Sequence, residues 1–463
     1  MSTRLVRSVL PMVGTVARRM FGAALVALAL ATPATARADG RLPLNVVRTQ
    51  RLSARLTDFT MRTPALVGDV HVRVLTPSGF DPAGARRYPV LYLFNGCCED
   101  WRSWTDLGAA ERITAGYPLI VVMPEGGYDG NYTDWFHAGS RGAQRWETFH
   151  LDQLIPWIDA SFPTVPGRPG RVVAGLSMGG FGALSYTARH PDLFSAAASF
   201  SGVIDTNASW GSQAVDYESL QDGQLPFGPF GPRVTQEVRW RAHNPFDLAV
   251  NLRGIPLTLR TGNGQPGGGY GSGQPDAIED LVHRENLSAH WRLLELGIPH
   301  VWDDYGAGQH EWPYWTEDLR KTLPWLMGVL ASPPASPRSV TFTAVEPDYT
   351  AYGWRVEMRR AALEFSTIRD ATRAGFSLSG SGDAVVTTPL FYRPRCTYRI
   401  TTAGRAGTAT ATQRPNGAGR LRVPILLGPD NTAQQYTLGS VTTVYNARAT
   451  VRRMRCAKAR RRA

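Results

Sequence analysis

Four short, continuously apolar runs set the outline of this chain. They are Pro89-Val90-Leu91-Tyr92-Leu93-Phe94, Leu119-Ile120-Val121-Val122-Met123, Arg171-Val172-Val173-Ala174 and Pro256-Leu257-Thr258-Leu259. None shows the polar alternation of a half-exposed strand, so each reads as a strand covered on both faces. Between them lie segments of helical periodicity: Thr105 to Thr114, Trp146 to Ile158, Met178 to Ala188, Ala277 to Leu296 and Pro313 to Leu330. Buried strands alternating with helices predict a mainly parallel central sheet with helices on both faces. Two further β-like runs, Leu52 to Met61 and Val70 to Leu75, precede the alternation, and a last short strand is expected over His300 to Tyr305.

Asn207 to His243 breaks the rhythm with glycine, proline and aromatic residues, and a long irregular insertion in a compact domain is usually functional. A Pro-rich linker, residues 331–338, ends the alternating part, which spans 39–330. Beyond it Thr, Val and Gly are abundant. Val340, Phe342 and Ala344 alternate with threonines, so residues 339–456 are expected to form a small all-β, sandwich-like domain. Arg359 to Ala371 also fits a helix. Trp354, Tyr349 and Tyr352 are candidates for a sugar platform, with core packing the ordinary use of such residues.

Charge and cysteine usage narrow the classes. The net charge is +12, but residues 1–38 hold five arginines and no acid, and Arg452 to Ala463 hold seven basic residues and no acid. The body between is formally neutral, so no nucleic-acid groove is expected. Residues 1–38 read as an export signal: a basic start, a short apolar stretch from Met20 to Ala31, and small-x-small cleavage patterns near Ala36 and Ala38. The apolar stretch falls short of the ~20 residues a spanning helix needs. The expected location is therefore secreted or cell-envelope. The tail, residues 457–463, is a candidate contact for an anionic envelope polymer, with a solvated, frayed terminus as the ordinary reading of such a segment. Export permits disulfides, and Cys396 is expected to pair with Cys456. Cys97 and Cys98 are adjacent, and ordinary disulfide geometry is hard for neighbours, so their state stays open. No metal-ligand spacing is present, and no metal or cofactor is expected. A dinucleotide fold is discarded because Asn95-Gly96-Cys97-Cys98, not G-x-G-x-x-G, follows the first buried strand.

Gly175-Leu176-Ser177-Met178-Gly179 follows the third buried strand and opens a helix. A nucleophile at a sharp strand-to-helix turn needs small residues two positions to either side, and the turn brings the next N–H to the developing oxyanion. Ser177 is thus the expected nucleophile and the Met178 N–H one oxyanion donor. The Cys97 N–H, after the first buried strand, is the candidate second donor, with a simple turn as the competing reading. In an α/β-hydrolase the base follows the last strand, which singles out His310 in Gly308-Gln309-His310-Glu311-Trp312. His71, His190, His283 and His290 are expected to be surface or core residues. The orienting acid lies among Asp276, Glu279 and Asp280, and chemistry alone does not choose.

At these residues the chain resembles the antigen 85 mycolyltransferases and the related esterase D type esterases. The matching blocks are Asn95-Gly96, Trp146-Glu147-Thr148-Phe149, Gly175-Leu176-Ser177-Met178, Asn244-Pro245, Gly262-Asn263-Gly264, Glu279 with Asn286-Leu287, and His310-x-Trp312-x-Tyr314-Trp315. The resemblance covers roughly Leu52 to Leu330. It implies that Ser177, Glu279 and His310 form the catalytic set, with Cys97 and Met178 as oxyanion donors. Asn95 and Trp312 are candidate substrate contacts. It further implies attack on an acyl ester, lipid or glycolipid included, with transfer to water or to a sugar or glycerol hydroxyl. The family's aspartate and arginine that help bind trehalose are Asn95 and Cys98 here, and a family cysteine is Thr261. The competing class is a non-catalytic surface binder on a hydrolase scaffold; the intact Ser, Glu and His set argues against it.

Overall fold

The computed structural model describes residues 43–208, 215, 220–221 and 223–456. The expected export signal, the basic tail 457–463 and part of the insertion lie outside them. A nine-stranded sheet organises the first part, in the order β1-β2-β3-β5-β4-β6-β7-β8-β9. Its strands are β1 (Asn45–Arg51), β2 (Leu56–Arg62), β3 (Asp69–Leu75), β4 (Val90–Phe94), β5 (Ile120–Pro124), β6 (Arg171–Leu176), β7 (Ala196–Phe200), β8 (Leu257–Thr261) and β9 (Val301–Asp304). Strands β1 to β3 and the β3–β5 pair are antiparallel, and every pairing from β5 to β9 is parallel. The central strands β4 to β8 are buried along their whole lengths, as their apolar runs require.

The helices are α1 (Ser103–Asp106), α2 (Ala110–Ile113), α3 (Ile155–Ser161), α4 (Met178–Arg189), α5 (Arg233–His243), α6 (Ala277–Glu295) and α7 (Trp312–Ala331). Several differ from the sequence reading, each for a packing reason. The single helix expected over Thr105 to Thr114 is two separate turns. At the break, a Cβ on Gly108 would lie 2.6 Å from the Trp312 ring and 2.8 Å from Trp104. The expected helix from Trp146 begins as a π-turn, Thr148–Leu154, which buries His150 with its ring nitrogens on the Tyr186 hydroxyl and the Glu125 carbonyl. Strand β7 is alanine-rich and escaped the apolar pattern. Helix α5 gives the end of the insertion regular structure.

Beyond α7 the chain forms two antiparallel sheets. One has six strands: β10 (Val340–Ala344), β13 (Ser366–Thr372), β14 (Gly375–Gly380), β19 (Tyr445–Cys456), β16 (Cys396–Gly404) and β17 (Gly407–Gln413). The other has four: β11 (Asp348–Ala351), β12 (Trp354–Arg359), β15 (Gly382–Thr387) and β18 (Arg422–Gly428). Phe342, Ile368 and Leu378 of the first share one core with Trp354, Val356, Val423 and Ile425 of the second. Trp354 and Tyr349 are buried in that core, which ends their candidacy as a sugar platform. Arg359 to Ala371 is strand and connection, not helix: buried Glu364 takes the Arg360 guanidinium and the Ser381 N–H, pinning the segment into the sandwich. Cys396 pairs with Cys456, and Cys97 with Cys98.

Buried polar groups join the two parts. Asn251 gives its amide to the Ala188 and Thr343 carbonyls at 3.0 and 2.9 Å and accepts the Thr343 N–H at 2.8 Å. Arg189, at the end of α4, contacts Glu147 at 3.2 Å and Glu346, from the sandwich, at 2.6 Å. Burial alone would push both carboxyls up, but Arg189 beside them holds both below the usual range. Burial, reinforced by Arg189, lowers the neighbouring His243 to about 4. Replacing the guanidinium would leave the largely buried Glu147 carboxylate and the partly exposed Glu346 carboxylate without their shared cation. Arg189→Met is therefore expected to cost about 1–3 kcal/mol, the solvent at Glu346 screening part of the loss, read as a lower urea midpoint; an unchanged midpoint would show that these charges do not hold the seam.

Candidate active site

Ser177 sits between β6 and α4 with φ 51° and ψ −123°, a conformation that costs a non-glycine residue roughly 1–3 kcal/mol. Its N–H donates to the Phe200 carbonyl at 2.9 Å. The flanking glycines are there for lack of room. A Cβ on Gly175 would lie 2.2 Å from the Gly179 carbonyl oxygen, and one on Gly179 would lie 2.5 Å from the Asn95 oxygen. The turn is thus wedged against the loop that follows β4. Gly96 on that loop faces back: a Cβ there would meet the Leu176 side chain at 2.6 Å and the Ser177 Cβ at 3.3 Å.

His310 closes on this serine from the loop between β9 and α7. Its Nε2 is 2.9 Å from the Ser177 Oγ, and its Nδ1 is 2.7 Å from the Glu279 Oε2. Glu279, on the first turn of α6, is completely buried, and its Oε1 accepts from the Ser201 hydroxyl, the Thr261 hydroxyl and the Gly262 N–H at 2.7, 3.1 and 2.7 Å. With four donors on its oxygens the carboxylate has no freedom to rotate away. The three acids left open by the sequence take three different positions. Asp276 caps α6, accepting the Ile278 and Glu279 N–H groups, and its other oxygen accepts the His310 N–H at 2.8 Å. Asp280 turns outward and pairs with Arg284. The other histidines stay apart from Ser177, as with His190 on Glu147 and His283 on Asp304.

The remaining expected residues divide. Met178 opens α4, so its N–H lies at the positive end of that helix beside Ser177. Cys97 follows Gly96 directly. Its partner Cys98 has φ 65° and donates its N–H to the Tyr128 carbonyl at 2.7 Å. Asn95 is a correction. It is 1% exposed, its amide is spent on the Gly96 carbonyl, and its own carbonyl takes the Tyr132 hydroxyl, so it shapes the loop and offers substrate no side chain. Trp312 is half-buried, edge-on to Trp104 and Trp315, and donates its indole N–H to Glu99 at 2.6 Å. Burial pushes the Glu99 carboxyl up, against the hydrogen bonds from Trp312 and Ser103 and the charge of His310. Sequence reading missed Ser201, Glu99 and the double duty of Asp276. For the last, an Asp just ahead of an apolar helical pattern was a usable capping signal. Asp276→Ala is expected to cost about 1 kcal/mol through the lost cap, seen as a lower thermal midpoint; no change would mean that the cap and the His310 anchor carry no stability.

Comparison with known proteins identifies the family and the fold. The Esterase family model matches residues 63–326, more than half of the chain. An esterase of Mycobacterium tuberculosis (strain H37Rv) is 36% identical over 274 residues, which cover 57% of this chain and 57% of that protein. The chain thus spans little more than half the length of that relative. The diacylglycerol acyltransferase/mycolyltransferase Ag85B of Mycolicibacterium smegmatis is 29% identical over 280 residues, 58% of this chain and 83% of its own. Among solved structures, Mycobacterium tuberculosis MPT51 superposes with a TM-score of 0.50 at 23% identity, covering 60% of this chain and all of its own, which speaks to the fold. The matched stretch contains every residue from the Cys97 loop to His310, and the chain belongs to the Esterase family of α/β-hydrolases.

Proposed function

We propose that this chain is a secreted serine acyl-ester enzyme in which Ser177, His310 and Glu279 are the catalytic residues. The observation that carries the reading is the unbroken line from the Ser177 Oγ through both ring nitrogens of His310 to a carboxylate immobilised by three further donors. His310 Nε2 takes the hydroxyl proton as Ser177 attacks the acyl carbonyl. Glu279 holds the ring in the productive tautomer and stabilises the imidazolium. The Met178 and Cys97 N–H groups receive the oxyanion. Collapse expels the alcohol, protonated by His310, and leaves acyl-Ser177.

The second half-reaction uses the same base on water, or on a sugar or glycerol hydroxyl. The names of the relatives, an esterase and a diacylglycerol acyltransferase/mycolyltransferase, support both outcomes on this scaffold. Trp312 and Glu99, beside His310, give the acceptor side an aromatic wall and a carboxyl that can accept a hydroxyl proton. Export rests on the basic, apolar and small-residue pattern of residues 1–38. Among the described residues no helix is long and apolar enough to cross a membrane.

Purified protein is expected to hydrolyse a short-chain p-nitrophenyl ester and to be labelled by an organophosphate at Ser177. Ser177→Ala should abolish both, and Glu279→Gln should lower kcat by roughly a thousandfold or more. Equal activity in wild type and Ser177→Ala would sink the reading. Acylated trehalose or glycerol in the mass spectrum would establish transfer, and free acid alone would establish hydrolysis.

A further inference from the structure

The formal neutrality of the body conceals two opposite charges. Residues 39–338 carry 25 Lys and Arg against 31 Asp and Glu, whereas residues 339–451 carry 13 against 7, to which Arg452, Arg453 and Arg455 at the end of the sandwich add three more. The excess in the sandwich gathers on its six-stranded sheet. On β16 and β19 the residues alternate between core and solvent, so Arg399, Arg448 and Arg452 point outward with Thr401 and Thr450. Register places Arg399 opposite Arg452, Thr401 opposite Thr450, and Arg448 opposite Ser377, which in turn faces Arg369 on β13. Arg369, Arg399, Arg448 and Arg452 are all exposed. The edge strand β17 adds Thr408, Thr410 and Thr412 to the same rows.

None of the four arginines has an acidic partner among the described residues. The four-stranded sheet of the same sandwich differs: there Arg355 pairs with Asp348 and Glu357, and Arg422 with Glu357. Like charges set directly across a strand pair cost stability, so the Arg399–Arg452 pairing works against the fold that carries it. The six strands contain a single acid, Asp370. The cationic surface continues past the sheet end through exposed Arg453, Arg455, Arg393 and Arg395 around the Cys396–Cys456 disulfide.

From this we infer that the outer face of the six-stranded sheet is a binding surface for a linear acidic polysaccharide. Planar guanidinium groups match carboxylates bidentately, and rows of threonine hydroxyls match sugar hydroxyls. The outward residues of β14, β16, β17 and β19 named above are Arg, Thr and Ser. They supply no aromatic platform for unpaired bases, and the exposed Met454 side chain against Thr412 is too small an apolar element to wedge into a bilayer. The inference does not rest on the catalytic reading.

The test uses the full chain immobilised for interferometry, with sodium polygalacturonate as probe and neutral dextran as control. Polygalacturonate should bind with an affinity that falls as salt rises. Dextran should not bind. The variant Arg369→Gln/Arg399→Gln/Arg448→Gln/Arg452→Gln should bind roughly tenfold or more weakly, the compounded effect of four exposed charge contacts, while its thermal midpoint holds or rises and its ester turnover is kept. Replacing Lys458, Arg460, Arg461 and Arg462 with Gln separates the tail from the face. Binding by the face variant within twofold of wild type overturns the inference, as does loss of binding in the tail variant alone. Tighter binding to phosphatidylglycerol vesicles or duplex DNA at the same salt would also overturn it.

Discussion

A serine forced to φ 51° persists only where its surroundings leave it no alternative. Here the constraint is steric. Gly175 touches the Gly179 backbone, Gly179 touches the Asn95 carbonyl, and Gly96 touches Leu176 and Ser177, so the turn after β6 and the loop after β4 interlock without a side chain between them. That contact sets side by side the two segments that carry Met178 and Cys97, whose N–H groups are the proposed oxyanion donors. Beneath that contact, β4 and β6 pair in parallel register along five residues, which fixes where both loops emerge.

The acid–base pair depends on that geometry from the other side. Asp276 ends the glycine-rich loop, starts α6, and holds the His310 backbone with the same carboxyl group. One turn into the helix, Glu279 is carried to the point where β7 and β8 end, and there Ser201, Thr261 and Gly262 saturate its inner oxygen. Each donor removes a reason for the carboxylate to move, which leaves its outer oxygen to orient the imidazole. A buried carboxylate with one partner would be a liability; with four it is an anchor.

What was legible in the sequence follows from this division of labour. Buried strands announce themselves by apolar runs, and the nucleophile turn by glycines that sterics impose, so β4, β5, β6, β8 and the Ser177 turn could be read directly. Strand β7 could not, because Ala196, Ala197 and Ala198 are small enough to line a crowded sheet centre and carry no β signal. Choosing among Asp276, Glu279 and Asp280 required knowing which face of α6 meets the sheet, and the hydrophobic pattern of that helix is too weak to tell. Ser201 was invisible for a different reason: its role comes from a positive φ that aims a hydroxyl at Glu279, and nothing in Ser-Gly after a strand marks that.

Net charge misleads in the same way that an average misleads. The body sums to zero because an acidic catalytic part offsets a basic sandwich, and only the fold shows that Arg369, Arg399, Arg448 and Arg452 share one face. Arg189 lies at the far end of the helix that begins beside Ser177; it pairs with Glu147 inside the catalytic part and, across the seam, with the partly exposed Glu346 of the sandwich. Hydrogen bonds from Asn251 to Thr343 hold β10 to the same region. Buried, mutually satisfied polar contacts of this kind resist sliding because any displacement exposes an unpaired charge to a low dielectric. The Pro-rich segment 331–338, which links the two parts in sequence, is itself tied to the catalytic part where the Arg168 guanidinium donates to the Pro334 carbonyl at 2.6 Å.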